Sequence, residues 1–190
     1  MIINPLELST DVATSEYLEN NRIELNRNIN ALRKKAERDA KGEKCLYCNQ
    51  KVDSFCNSHT IPYFVLKYIA INGKVKTFNS IVEIETVKKE KGLQVAGTFR
   101  RICTRCDSKI FRDYENEAAL TGKITDNMMY EIAMKNYLKM IDKRLIEIEL
   151  YNQNLQWEWI SDVNRIDLNE YSLAFEEVKK YILLNRQHKA

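Results

Sequence analysis

Cys45-Leu46-Tyr47-Cys48 and Cys103-Thr104-Arg105-Cys106 are the stretches on which the fold turns, and Ser58-His59-Thr60-Ile61-Pro62 lies between them. Each Cys-x-x-Cys turn can present a pair of sulfurs to one ion. Two such turns suit a single tetrahedral zinc held at about 2.3 Å per sulfur. Compact zinc ribbons place their pairs roughly 15 to 20 residues apart, whereas here a long segment separates Cys48 from Cys103. The zinc therefore staples a subdomain rather than filling a finger. Asp107 follows the second pair directly. The run from Ser108 to Glu115 then reads as a helix, with Ile110, Phe111, Tyr114 and Ala118 on one face.

Working outward, Ser15 to Lys41 has helical periodicity and Gly42 is its natural stop. The cations of its second half, Arg33 to Lys41, suit a solvated face better than a phosphate backbone because Glu37 and Asp39 interrupt them. Lys51 to Phe55 reads as a short strand. Phe64 to Ala70 fits either a strand or a helical turn, and Asn72-Gly73 marks a turn. Ile81 to Val87 and Leu93 to Ile102 read as the arms of a β-hairpin. A long helix is expected from Asp126 to Tyr151, with Met129, Met134, Leu138 and Ile141 in its apolar stripe. Trp157 to Ile160 looks like a short strand. A last helix from Leu168 to Asn185 should turn Leu173, Phe175, Val178, Tyr181 and Ile182 inward.

The chain thus divides into a helical extension (1–43), a zinc-stapled core (44–122) and a C-terminal helical region (123–190), an α+β arrangement. At 190 residues, 44% hydrophobic and 30% charged, it has the composition of a globular protein with a sizeable core. A net charge of +3 permits a nucleic-acid partner without demanding one. No apolar run approaches the roughly 18 residues of a membrane span and no apolar leader follows Met1, so a cytoplasmic location is expected. Five cysteines, four in metal-type pairs, fit a reducing compartment, and Cys56 reads as a small buried hydrophobe.

His59 is the best candidate for chemistry, because a neutral imidazole held against water can act as a general base. A lone histidine near cysteine pairs can equally be a zinc ligand or a core residue, although four cysteines already complete a tetrahedron. Arg100, Arg101, Arg105, Lys109 and Arg112 surround the second knuckle and together favour a polyanion. Trp157 and Trp159 could stack on bases but also suit a core strand. His188, near the C-terminus, reads as solvated.

Taken in order, Cys-x-x-Cys, Ser-His-Thr-Ile-Pro and Cys-x-x-Cys-Asp resemble the HNH (ββα-metal) endonuclease superfamily in its zinc-stapled, treble-clef-like form, over about Lys44 to Glu117. The resemblance implies a ββα-metal core flanked by long helices, hydrolysing DNA phosphodiesters with structural Zn²⁺ and a catalytic Mg²⁺ or Mn²⁺. It implies His59 as the base and Asp107 as the helix-borne metal ligand. Ser58 stands where many members carry an acidic second ligand, and Asn72 is the only match for the residue that orients the histidine. Glu115 would lie about 12 Å along the helix from Asp107, and its implied role is to support the site or dock the helix. Restriction and phage-defence settings both suit such a protein. The alternatives are a catalytically inactive zinc-stapled module that binds nucleic acid or protein, and a nuclease subunit active only with a partner. The flanking helices would serve a protein partner or a second copy of the chain.

Overall fold

The structure, a computed structural model, describes Asn20 and residues 22–76, 90–152 and 158–187. In chain order its elements are α1 (Arg22–Asp39), β1 (Ser58–His59), α2 (Tyr63–Ile69), β2 (Lys74–Lys76) and β3 (Glu90–Gly92). These are followed by β4 (Thr98–Phe99), α3 (Thr104–Ile110), α4 (Glu117–Leu120), α5 (Asp126–Asn152) and α6 (Glu158–Gln187). The result is an α+β architecture in which long helices flank small antiparallel ladders. Among the described residues no helix is long and apolar enough to cross a membrane.

The ladder beside the knuckles pairs β1 with β4, Ser58 opposite Phe99 and His59 opposite Thr98, and the chain runs from β4 through Cys103 into α3. The second ladder pairs β2 with β3. Between β3 and β4 the chain turns tightly. Gly97 there holds φ +65°, and a Cβ would meet Thr60 Oγ1 at 3.0 Å. The Gly97 carbonyl accepts from the Thr60 amide at 3.1 Å and hydroxyl at 2.7 Å, which fixes the turn against β1.

One apolar core joins the knuckles to the long helices. Cys45, Phe99, Ile102, Cys106, Ile110 and Phe111 pack with Met134, Leu138 and Ile141 of α5 and with Phe175 and Ile182 of α6. α5 and α6 lie along each other, and α1 packs on α5. Short elements such as α3 and β1 have too few internal hydrogen bonds to persist alone, so this packing holds them.

Several local expectations change. Lys51 makes only an isolated bridge to Lys44, not a strand. Phe64 to Ala70 resolves as helix α2, entered at Pro62, whose missing amide costs nothing at a helix start. Of the expected hairpin, Ile81 to Val87 lies outside the described residues. Leu93 to Ala96 belongs to a turn, and Thr98 and Phe99 pair with β1. The helix after Asp107 stops at Ile110; Phe111 and Tyr114 are buried, but from a turn. Glu158 to Ile160, expected as strand, opens α6, while Trp157 falls outside the described residues. Phe175 and Ile182 face inward as expected, but Leu173, Tyr181 and Met129 are exposed. The N-terminal helix is continuous in the described residues from Arg22, with Asn20 also helical, and Tyr17, Leu18 and His188 lie outside the described residues.

Candidate metal centre and adjoining cleft

The four knuckle sulfurs, from Cys45, Cys48, Cys103 and Cys106, lie within 4.8 Å of one another. Zinc–sulfur bonds of about 2.3 Å in a tetrahedron set the sulfurs about 3.8 Å apart, so small adjustments seat an ion. Local backbone chemistry builds each knuckle. The Asn49 amide returns to the Cys45 carbonyl at 2.8 Å, and Asn49 itself takes the left-handed conformation (φ 56°) that asparagine tolerates. The second pair straddles the start of α3, where the Asp107 amide donates to the Cys103 carbonyl at 3.0 Å. The Leu46 amide donates to the Arg101 carbonyl at 2.9 Å and the Cys103 amide reaches Cys45 Sγ at 3.4 Å, which locks the pairs together.

Burial pushes the thiols of Cys45 and Cys106 up, whereas the backbone N–H of Gln50 brings Cys48 down to about 7. Four thiolates cannot share this half-buried place without a cation. A divalent ion supplies the compensation, so the donor set fits structural zinc.

About 260 Å³ of cleft opens beside the centre, lined by Asn57, Ser58, His59, Tyr63, Asp107 and Glu115 among others. β1 places Ser58 and His59 there, and α3 places Asp107. Glu115 arrives by a different route than a continuous helix: the chain turns after Ile110, and the Glu115 amide closes on the Phe111 carbonyl at 2.9 Å. His59 Nε2 lies 2.9 Å from the Leu93 carbonyl. A carbonyl only accepts, so Nε2 carries a proton, and the neutral tautomer compatible with this contact has its lone pair on Nδ1. Asn72, expected to orient the histidine, instead holds φ 51° in the turn before β2 and does not line the cleft.

Beneath the cleft floor the proton directions are fixed end to end. Lys135 of α5 is fully buried and donates to Ser58 Oγ at 3.3 Å, to the His59 carbonyl at 2.7 Å and to Glu115. Because an ammonium only donates, Ser58 must accept from it and spend its single proton on Asp107 Oδ1, 2.5 Å away. Asp107 Oδ2 accepts from the Cys56 thiol at 3.4 Å. Burial, and then the Asp107 carboxylate, push that thiol up to about 11. Cys56 is thus a half-buried hydrogen-bond donor as well as an apolar filler.

These residues do not fit a hard divalent ion. Mg²⁺ prefers oxygen ligands free to turn toward it, yet each Asp107 oxygen already accepts a protein hydrogen and Glu115 is paired with Lys135. Among the described residues, the four cysteines are the only cluster of three or more His, Cys, Asp or Glu groups gathered closely enough to hold an ion.

Of the basic residues expected to meet phosphate, Arg101 points the other way. It is 5% exposed, donates from Nε to Asp142 Oδ1 at 2.8 Å and from Nη1 to the Ala40 carbonyl at 2.7 Å. It is a structural residue. Arg105 and Lys109 on α3 are exposed, as is Arg112 just beyond it; Arg105 reaches Gln50 at 3.1 Å and Arg112 pairs with Asp113. Arg100 is also exposed and donates to Asn57 on the cleft rim at 3.3 Å.

Lys135 is the residue that sequence reasoning missed. A signal was available, since Glu131, Lys135 and Asp142 stand on the buried face of α5 together with Met128 and Leu138, where a charge needs a partner elsewhere in the chain. Compared with protein-family models, curated proteins and solved structures, the chain matches none, so its likeness to HNH endonucleases rests on its motifs alone.

Proposed function

We propose that the chain is a zinc-stapled nucleic-acid-binding module that retains an HNH-like strand ladder and helix while its cleft carboxylates are held by protein donors without a divalent ion. The observation that carries this reading is the state of Asp107, hydrogen-bonded on both oxygens by Ser58 and Cys56 beside the Lys135–Glu115 ion pair. Binding is supported by the exposed cations Arg105, Lys109 and Arg112. The contacts of Arg105 with Gln50 and of Arg112 with Asp113 are of the exposed kind that contributes little, so exchanging them for phosphate oxygens costs little.

Fluorescence anisotropy with a short DNA duplex across a salt series tests this. Replacing Arg105, Lys109 and Arg112 with Gln should weaken binding and flatten the log K against log salt slope by about 2 to 3. His59→Ala should leave both zinc content and retention unchanged. No retention by wild type at low salt, or an unaltered slope in the triple variant, would refute the reading.

A second reading, a DNA endonuclease active alone or with a partner subunit, is favoured by His59. It lines the cleft, and with Nε2 donating to the Leu93 carbonyl the lone pair a base needs would be on Nδ1. A catalytic Mg²⁺ or Mn²⁺ in this reading requires Ser58 and Cys56 to release Asp107. Nicking of supercoiled plasmid in either metal, lost in both His59→Ala and Asp107→Ala with zinc retained, would establish the endonuclease.

A further inference from the structure

We infer that Lys135 is a built-in counter-cation that excludes divalent ions from the cleft. It holds Ser58 and Glu115 in the arrangement they keep and offsets part of the negative charge that would otherwise draw a metal in. The inference rests on the reading of the cleft as a site without a divalent ion and names what keeps it so.

Geometry and charge carry the argument. All three ammonium donors of Lys135 are spent, on Ser58 Oγ, the His59 carbonyl and Glu115, and the ammonium sits 4.4 Å from the centre of the Phe111 ring. It is therefore held from four sides and is no loose surface lysine. Lys135 does not line the cleft, so it touches no ligand there and acts through the residues above it. The carboxylates at the floor, Asp107 and Glu115, bring two negative charges, and Lys135 returns one. An incoming dication would meet a fixed ammonium beneath the floor and a carboxylate already engaged on each oxygen, by Ser58 and by Cys56. Removing the ammonium charge leaves a pair of acidic groups with nothing to oppose the ion, and frees Ser58 to turn its proton away from Asp107.

Lys135 is thus a positioning residue, and its removal should confer a property rather than only destroy one. The experiment is Mn²⁺ binding to the zinc-loaded full chain, read by the loss of free Mn²⁺ electron paramagnetic resonance signal. Wild type should show no saturable binding that Asp107→Asn removes. Lys135→Met should bind Mn²⁺ about tenfold more tightly or better, and adding Asp107→Asn should cancel the gain. Lys135→Gln, which keeps a donor for the His59 carbonyl without the charge, should reproduce the gain in a milder setting. Zinc content and thermal melting establish that each variant is folded. Saturable, Asp107-dependent Mn²⁺ binding by wild type would overturn the inference outright, whether or not the lysine variants fold. Equal Mn²⁺ affinity in wild type and in a folded Lys135 variant would overturn it as well. DNA retention by the same wild-type sample separates the questions. If Mn²⁺ behaves as expected and DNA is not retained, the nucleic-acid reading fails and the role of Lys135 stands. If DNA is retained and wild type binds Mn²⁺ through Asp107, nucleic-acid binding stands and both the metal-free cleft and the role of Lys135 fail.

Discussion

Arg101→Ala should unfold the protein far more readily while leaving any phosphate-binding surface untouched. The guanidinium is 5% exposed and its partner carboxylate 11% exposed, so water can replace neither when one is lost. Removing one member of such a pair strands the other, at a cost of about 3 to 5 kcal/mol. The Ala40 carbonyl also loses a charge-assisted hydrogen bond at the exit of α1, a contribution that overlaps the first and is not simply added. Urea unfolding followed by far-UV circular dichroism at one fixed zinc concentration measures the loss, since the metal then adds the same mass-action stabilisation to both proteins. With a urea slope of about 2 kcal/mol/M, the midpoint should fall by roughly 1.5 to 2.5 M. Arg101→Met with Asp142→Leu should recover most of that, because an apolar pair leaves no buried charge. Had Arg101 served phosphate instead, the Ala variant would lose DNA affinity and keep its midpoint. A midpoint shift below about 0.5 M would refute the assignment.

Chelation of zinc should take the long helices down with the knuckles, because Cys45 and Cys106 sit in the same apolar core as Met134 and Phe175. Helical ellipticity that survives complete zinc removal would contradict this. Zinc release should be promoted as the pH falls, since every ligand must be deprotonated to bind. Cys56 should resist iodoacetamide at pH 8 in the zinc-loaded protein, its thiol being held up to about 11 by burial and by Asp107. Its alkylation rate should climb about tenfold per pH unit through pH 10 and be faster in Asp107→Asn, by peptide mass spectrometry; a plateau near neutrality would refute the assignment.

What could be read from the sequence was local. The knuckles announce themselves because their ligands are three residues apart, and the Ser-His-Thr-Ile-Pro stretch carries its own context. α5 was legible from periodicity, and of its expected apolar stripe Met134, Leu138 and Ile141 are buried while Met129 is exposed. Residues whose meaning depends on a distant partner were not legible. Arg101 resembles Arg105 in sequence, and only the position of Asp142, 41 residues on, separates a buried tie from an exposed cation. Glu115 was placed on a continuing helix, since periodicity does not reveal that Ile110 ends it and that the following turn carries the side chain into the cleft. Lys135 meets Ser58 across 77 residues. For the start of α6 the alternation of Trp157 and Trp159 suggested a strand, whereas the backbone is helical from Glu158 as the first turn of a long helix.

One register pair of the short ladder has a further consequence. The carbonyls of His59 and Thr98, opposite each other in β1 and β4, accept from Lys135 and Lys139, side chains one turn apart on α5, each at 2.7 Å. Strands of two residues ordinarily fray on their own. Here a helix supplies the donors that a neighbouring strand would have supplied, so the histidine-bearing edge opens only when α5 lets go of it. Amide exchange in β1 and β4 should then follow the slow clock of a helix of 27 residues rather than the fast one of a loop.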